Sequence, residues 1–179
     1  MGNLRKSMIK QLRPFTDDWL HNRVKEQLLG NTMGWNFPSY ATARQDLNNA
    51  AFGKCAFNKE QNIVNWNSVD SLIYVLDNWL DQNKDWFRID FLNHCMVNLY
   101  TAGQVTAWHN DNSQRIPSTY SLLYYVDDSD GGTEFEDQKF LHKENTGIFF
   151  DSNLQHIPIA STQPRRISVS WVMKGVVKI

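Results

Sequence analysis

Cysteine is scarce in this 179-residue chain, which has only Cys55 and Cys95. The two stand in no metal-binding spacing and form no disulfide framework, so the expected setting is reducing and intracellular, the cytoplasm. An excess of one charge is also missing. Eighteen basic against 19 acidic residues leave a formal net charge of −1. General attraction to nucleic acid or to an anionic membrane is therefore not expected. No apolar run approaches bilayer length. The opening Met1-Gly2-Asn3-Leu4-Arg5-Lys6 lacks the hydrophobic stretch of a signal peptide, and Lys6 stands where a myristoylation signal carries Ser or Thr. Internal repeats and low-complexity linkers are absent, and nothing marks an oligomeric state. What remains is 41% hydrophobic, 13% aromatic and 21% charged, the profile of a soluble globular chain long enough for one domain over residues 1–179.

The first half, residues 1–92, reads as a mixed, partly helical support region. Met8 to Leu12 suits a short strand. Thr16 is a candidate N-cap followed by Asp17 and Asp18, and Leu20, Val24 and Leu28 share a helical face that Gly30 terminates. A second helix is expected from Ser68, with Leu72, Ile73, Leu76, Trp79 and Leu80 as its apolar stripe. Both stripes suit core packing. Trp35, Trp66 and Trp86 are read as core aromatics as well.

From about residue 93 the pattern becomes short β-rich runs: Cys95–Tyr100, Val105–His109, Thr119–Val126, Thr133–Phe135, Gly147–Asp151, Gln155–Ala160 and Arg166–Met173. Many short strands at close spacing imply a sandwich or barrel. The fold class is α+β with a mainly β core, a jelly roll over residues 93–174 with N-terminal helices packed on one sheet. Asp127-Asp128-Ser129-Asp130-Gly131 has the acid density of a calcium loop but not its alternating ligands or terminal glutamate, and is read as a tight turn.

An iron(II) ion that must admit further ligands needs few protein donors, and two imidazoles with one carboxylate on one face of an octahedron supply them. His109 and Asp111 sit at i and i+2, so on an extended chain they point the same way. His156, opening a distant predicted strand, is the best third ligand. With five histidines and 19 acidic residues in 179, about 0.5 His-x-acid pairs arise by chance, so the pair alone decides nothing. Asn110-Asp111-Asn112-Ser113 also reads as an exposed turn. His21, His94 and His142 lack comparable contexts and are expected to be structural or exposed.

Taken in order, several segments resemble the prolyl 4-hydroxylase-like branch of the Fe(II)/2-oxoglutarate-dependent oxygenases. The segment Asn98-Leu99-Tyr100-Thr101-Ala102-Gly103 leads to Trp108-His109-Asn110-Asp111. The strand Ser121-Leu122-Leu123-Tyr124-Tyr125-Val126 follows, then the double-glycine turn Gly131-Gly132-Thr133-Glu134-Phe135. Gly147-Ile148-Phe149-Phe150-Asp151 precedes His156, and Arg166-Ile167-Ser168-Val169-Ser170-Trp171 resembles the closing strand. The resemblance covers residues 95–174 closely and the N-terminal half in outline.

What the resemblance implies is specific. His109, Asp111 and His156 would ligate Fe(II), with 2-oxoglutarate as co-substrate and dioxygen as oxidant, to hydroxylate a C–H bond. The substrate would be a prolyl or other residue of a peptide or protein, or else a small molecule such as a free amino acid. Arg166 would grip the distal carboxylate of 2-oxoglutarate. Strand parity favours it, because Arg166, Ser168 and Ser170 share one small polar face while Ile167, Val169 and Trp171 share the apolar one. Arg165 stays as the alternative. Tyr125 and Tyr100 would add phenolic hydrogen bonds, Ser168 a further contact, and Asn98 would line the site. Rival readings are an oxidative demethylase of alkylated nucleic acid, which the net charge disfavours, a non-catalytic metal-binding jelly-roll module, and a zinc hydrolase. The last would leave a buried arginine unexplained.

Overall fold

A computed structural model describes residues 8–30, 34–35, 52–66, 69–104, 106–112 and 115–178. The chain opens with strand β1 (Ile9–Leu12), as the run from Met8 predicts, and enters helix α1 (Asp18–Leu29). The cap is Asp17 rather than Thr16: the Asp17 carboxylate accepts from the Leu20 N–H at 2.9 Å. Thr16 is committed elsewhere, its hydroxyl accepting from Asn78 and its N–H donating to the Asn145 side chain. Strands β2 (Phe52–Asn58) and β3 (Ile63–Val64) follow, then helix α2 (Ser71–Asn83), capped by Asp70. Ser68, the expected start of that helix, lies outside the described residues.

The remaining chain is β structure: β4 (Phe87–Thr101), β5 (Thr119–Tyr125), β6 (Gly132–Phe135), β7 (Lys139–Leu141), β8 (Thr146–Asp151), β9 (His156–Ile159) and β10 (Arg165–Val177). Seven strands form an antiparallel sheet in the order β1-β8-β5-β10-β4-β2-β3, and three form a second in the order β7-β6-β9. Two facing sheets of this kind make the expected jelly roll.

The structure differs from the sequence reading in three places. Strand β4 begins at Phe87, because Phe87 and Ile89 alternate with exposed Arg88 and Asp90 and extend the pleat. β1, β2 and β3 come from the first half, so the large sheet draws on both sides of residue 93. The expected strand Val105–His109 does not form. Among its described residues only His109 pairs, in a single bridge with His156, while Trp108 is 48% exposed.

The alternation of β10 divides the molecule into two faces. Ile167, Val169, Trp171 and Met173 are buried against the helices with Leu20, Val24, Leu28, Leu72, Val75, Leu76 and Trp79. Cys95 and Val97 of β4 and Leu122 and Tyr124 of β5 join this layer. Each fully buried aliphatic or aromatic side chain contributes about 1.5–3 kcal/mol through area removed from water. Trp35, Trp66 and Trp86 pack on the rim of this core, as expected. Tyr124 is tied to α1 by His21, whose other ring nitrogen meets Glu144 at 2.9 Å; Lys25 completes the cluster at 2.6 Å from the same carboxylate.

Leu72 has no exposed surface, whereas Leu141 on β7 is 56% exposed. Leu72→Ala is expected to lower the unfolding free energy by about 2–5 kcal/mol, and Leu141→Ala to change it by no more than about 0.5 kcal/mol. Urea denaturation followed by tryptophan fluorescence measures both.

Candidate metal centre and its cavity

The opposite face of the large sheet is concave and meets the small sheet around a cavity of about 230 Å³. His109, Asp111 and His156 converge at this cavity, with one donor atom of each within 4.8 Å of the others. The imidazole at 156 therefore faces the 109/111 pair, as the sequence reading requires. The two histidines come together because their backbones exchange hydrogen bonds: His109 N donates to His156 O at 3.0 Å, and His156 N to His109 O at 2.9 Å. Their ring centroids are 4.3 Å apart.

Each ring is oriented by its own chain. His109 Nδ1 lies 3.0 Å from Ala107 O, and His156 Nδ1 lies 3.1 Å from Leu154 O. A carbonyl oxygen only accepts, so both Nδ1 atoms carry a proton, and the neutral form of each ring then presents its lone pair at Nε2. These Nε2 atoms sit 3.9 and 3.8 Å from Asp111 Oδ1. The other carboxylate oxygen, Oδ2, accepts from Ser121 Oγ at 2.6 Å, and Ser121 is in turn 2.8 Å from Ser152 Oγ. Backbone bonds from Asp111 N and Asn112 N to Ser152 O fix the loop. The donors are thus aimed by outer partners, as metal ligands usually are. Burial alone would raise the Asp111 carboxyl, but the His156 and His109 imidazoles and the Ser121 hydroxyl outweigh it and hold it below the usual carboxylate value. Burial lowers His156, only partly offset by Asp111. Both shifts favour the metal-binding protonation states, carboxylate and neutral imidazole.

Arg166 closes the far end of the cavity and is 3% exposed; Arg165, its rival in the sequence, points to solvent. Arg166 Nη1 donates to Gly132 O at 2.9 Å, and the guanidinium stacks 4.4 Å above the Tyr100 ring. Its Nη2 is buried without a hydrogen-bond partner, and no carboxylate lies within 4 Å among the described residues. Burial pulls this guanidinium below its ordinary pKa. An uncompensated buried cation is costly, so this end of the cavity is built to receive an anion.

The double glycine is shaped by neighbouring backbone and, at Gly131, by the same arginine as well. A Cβ on Gly131 would stand 2.8 Å from Ile159 O and 3.0 Å from Arg166 Nη1, and one on Gly132 would stand 2.1 Å from Phe140 O. Asp127 to Gly131 lie in the irregular connection between β5 and β6, not in a tight turn, and the acids are used internally: Asp127 accepts from Ile167 N and pairs with His142, while Asp130 receives Ser161 and Thr162.

The other expected residues also line the cavity: Tyr100, Tyr125, Ser168 and Asn98. The Tyr125 hydroxyl is already engaged, donating to Thr133 Oγ1 at 2.7 Å, and burial raises its pKa strongly. Of the other histidines, His94 differs from expectation, while His142 is a structural one, paired with Asp127. His94 belongs to the cavity wall rather than to a structural or solvent-exposed position. His142 is fully buried, 4.3 Å from the Tyr125 ring, with Nδ1 unpartnered. Period-2 parity from Tyr100 through Asn98 and Met96 reaches His94, so the signal was present in the sequence. Thr133 and Asn110, also in the wall, carried no such signal, whereas Ser170 shares the parity of Arg166 and Ser168.

No family model and no curated protein matches the sequence. Solved structures do match in fold. The viral collagen prolyl hydroxylase vCPH of Paramecium Bursaria Chlorella virus-1, solved as a 2OG complex, aligns over 97% of this chain and 99% of its own, with 17% identity and a TM-score of 0.60. An oxidoreductase of the 2OG-Fe(II) oxygenase family from Burkholderia pseudomallei aligns over 93% and 84%, with 13% identity and a TM-score of 0.71. A Trichoplax adhaerens prolyl hydroxylase, in complex with a hypoxia inducible factor oxygen degradation domain peptide fragment, aligns over 96% and 85%, with 15% identity and a TM-score of 0.65. At these identities the likeness establishes a shared fold, that of the 2OG-Fe(II) oxygenases.

Removing the hydroxyl that aims Asp111, in Ser121→Ala, is expected to weaken divalent-metal affinity by about 10- to 100-fold. Competition against a fluorescent chelator, with the Ser152→Ala variant in parallel, reads this out.

Proposed function

We propose that this chain is an Fe(II)- and 2-oxoglutarate-dependent dioxygenase hydroxylating a C–H bond, with a prolyl residue of a peptide as the substrate. The observation that carries the reading is the pairing of a His-Asp-His donor group with a buried, unpartnered Arg166 Nη2 in one cavity. A hydrolytic or merely structural metal site gives that guanidinium nothing to bind. A co-substrate that chelates iron at one end and carries a carboxylate at the other satisfies both ends together.

The donor chemistry fits iron. His109 Nε2, His156 Nε2 and Asp111 Oδ1 would hold it by one face, leaving the cavity side open. When bound, Fe(II) with 2-oxoglutarate and dioxygen supplies an oxidant able to break a C–H bond, with succinate and carbon dioxide as co-products. The protein's own contribution is orientation and dryness. Arg166 would pair with the distal carboxylate, and Tyr100 flanks that position from under the guanidinium. The Tyr125–Thr133 pair and Ser168 offer hydroxyl contacts in the same cavity, and Asn98 lies on the strand between Tyr100 and Met96. Leu123, Phe150, Met96 and Pro158 supply apolar wall that limits water around the metal. A peptide substrate is supported by the prolyl hydroxylases among the fold relatives, one of them crystallised with a peptide fragment. Residues 1–179 would then act as one oxygenase domain.

Arg166→Ala is expected to weaken 2-oxoglutarate binding on the order of 10- to 100-fold while changing metal affinity little, and Arg165→Ala to have little effect on either. Succinate release and calorimetric titration of 2-oxoglutarate into both variants decide it. Loss of co-substrate binding in Arg165→Ala with retention in Arg166→Ala would reverse the assignment.

A further inference from the structure

The register of the large sheet ranks the side chains of its concave face from the closed end of the cavity outward. Arg166 of β10 lies opposite Tyr100, Ser168 opposite Asn98, Ser170 opposite Met96, and Val172 opposite His94. Val172 also lies opposite Ser121, the residue that holds Asp111, so this rank is level with the metal donors. One rank further out, Lys174 lies opposite Phe91 on one side and Thr119 on the other. The intervening Met173 and Leu92 pack into the helix-side core, so Lys174 and Phe91 face the cavity side. Lys59, anchored by its N–H to Asn93 O, places its ammonium 3.8 Å from the Phe91 ring centroid; the Lys174 ammonium stands 6.0 Å from the same centroid.

This outer rank is chemically unlike the rest of the face. Two ammonium groups approach one aromatic ring, and neither has a carboxylate within 4 Å among the described residues. Behind them the His94 imidazole lines the cavity wall and makes no hydrogen bond among the described residues. Asp111 and, after it, Glu60 are the acids whose fields reach His94, and Glu60 is exposed. Two like charges converging on one ring are mutually unfavourable until an anion lies between them.

We propose that the Lys59–Phe91–Lys174 rank, with His94 beneath it, is the substrate-docking subsite, and that it takes an acidic residue of a peptide. The inference rests on the oxygenase reading, since that reading makes the outward side of the metal the substrate side. From the Ser121 rank to the Thr119 rank is two residues, about 7 Å along the strand. An extended peptide rises at a similar rate, so the acid belongs about two residues from the one whose C–H faces the metal. The carboxylate lies between the two ammonium groups, and the aliphatic part of the acidic side chain rests on Phe91. A net charge of −1 and two cations here among the described residues fit a short acidic peptide better than a polyphosphate strand.

The test is calorimetric binding to the full chain, using proline-containing peptides that differ only in Glu, Gln or Lys two residues from the proline, with a single-stranded oligonucleotide beside them. The Glu peptide is expected to bind about tenfold more tightly than the Gln peptide, and the difference is expected to shrink as salt rises. Lys59→Ala with Lys174→Ala should abolish the difference, and Lys59→Glu with Lys174→Glu should transfer the preference to the Lys peptide. Both pairs lie at exposed or half-buried positions, and thermal melts check that they fold. Equal binding of the three peptides, a Glu preference that survives the double variants, or tighter binding of the oligonucleotide would overturn the proposal. Arg166-dependent binding of 2-oxoglutarate, measured on the same protein, reports separately on the oxygenase reading, so failure of one is distinguishable from failure of the other.

Discussion

Everything at the metal centre depends on one short piece of backbone pairing, the reciprocal hydrogen bonds between His109 and His156. They close a long loop across the mouth of the barrel. Side-chain hydrogen bonds to Ala107 O and Leu154 O then leave each Nε2 only one direction in which to offer its lone pair. Without that bridge the histidines belong to separate segments, and Asp111 would keep its Ser121 partner but face no imidazoles. The cost of closing the loop is shared with the large sheet, because Ser152 and Ser121 tie the Asp111 turn to β8 and β5.

The second constraint is the pleat of β10. Period-2 alternation sends Ile167, Val169 and Trp171 to the helices and Arg166, Ser168 and Ser170 to the cavity. A one-residue slip would bury a guanidinium among the aromatic rings around Trp171 and turn that ring toward the metal. Gly131 and Gly132 supply the matching clearance on the facing sheet. Register, glycine clearance and the buried cation therefore specify one another.

Features that obey a local period were legible in the sequence. The stripes of α1 and α2 and the parity that selects Arg166 over Arg165 follow from spacing and residue type, while the approach to His109 and Asp111 was read from the resemblance. Features that depend on distant partners were not. Strand β2 contains Gly53 and Lys54 and owes its extended form to pairing with β4. Thr16 looks like a cap but is claimed by Asn78 from another helix. The run ending at His109 has strand composition, yet among its described residues only His109 pairs, in the bridge with His156 that presents the imidazole. Lys59 reaches the Phe91 ring only through a turn that no short-range pattern encodes, whereas the period-2 parity of β4 already carries His94 to the cavity.

Tyr124 and Tyr125 are consecutive residues on opposite faces of β5, one fastened to α1 through His21 and Glu144, the other set in the cavity wall beside Thr133. The helical layer and the reaction chamber thus share a rigid partition one residue thick. Sequence drift in the outer layer is felt at the chamber wall, so the supporting half of this protein is not free to diverge independently of the chemistry it encloses.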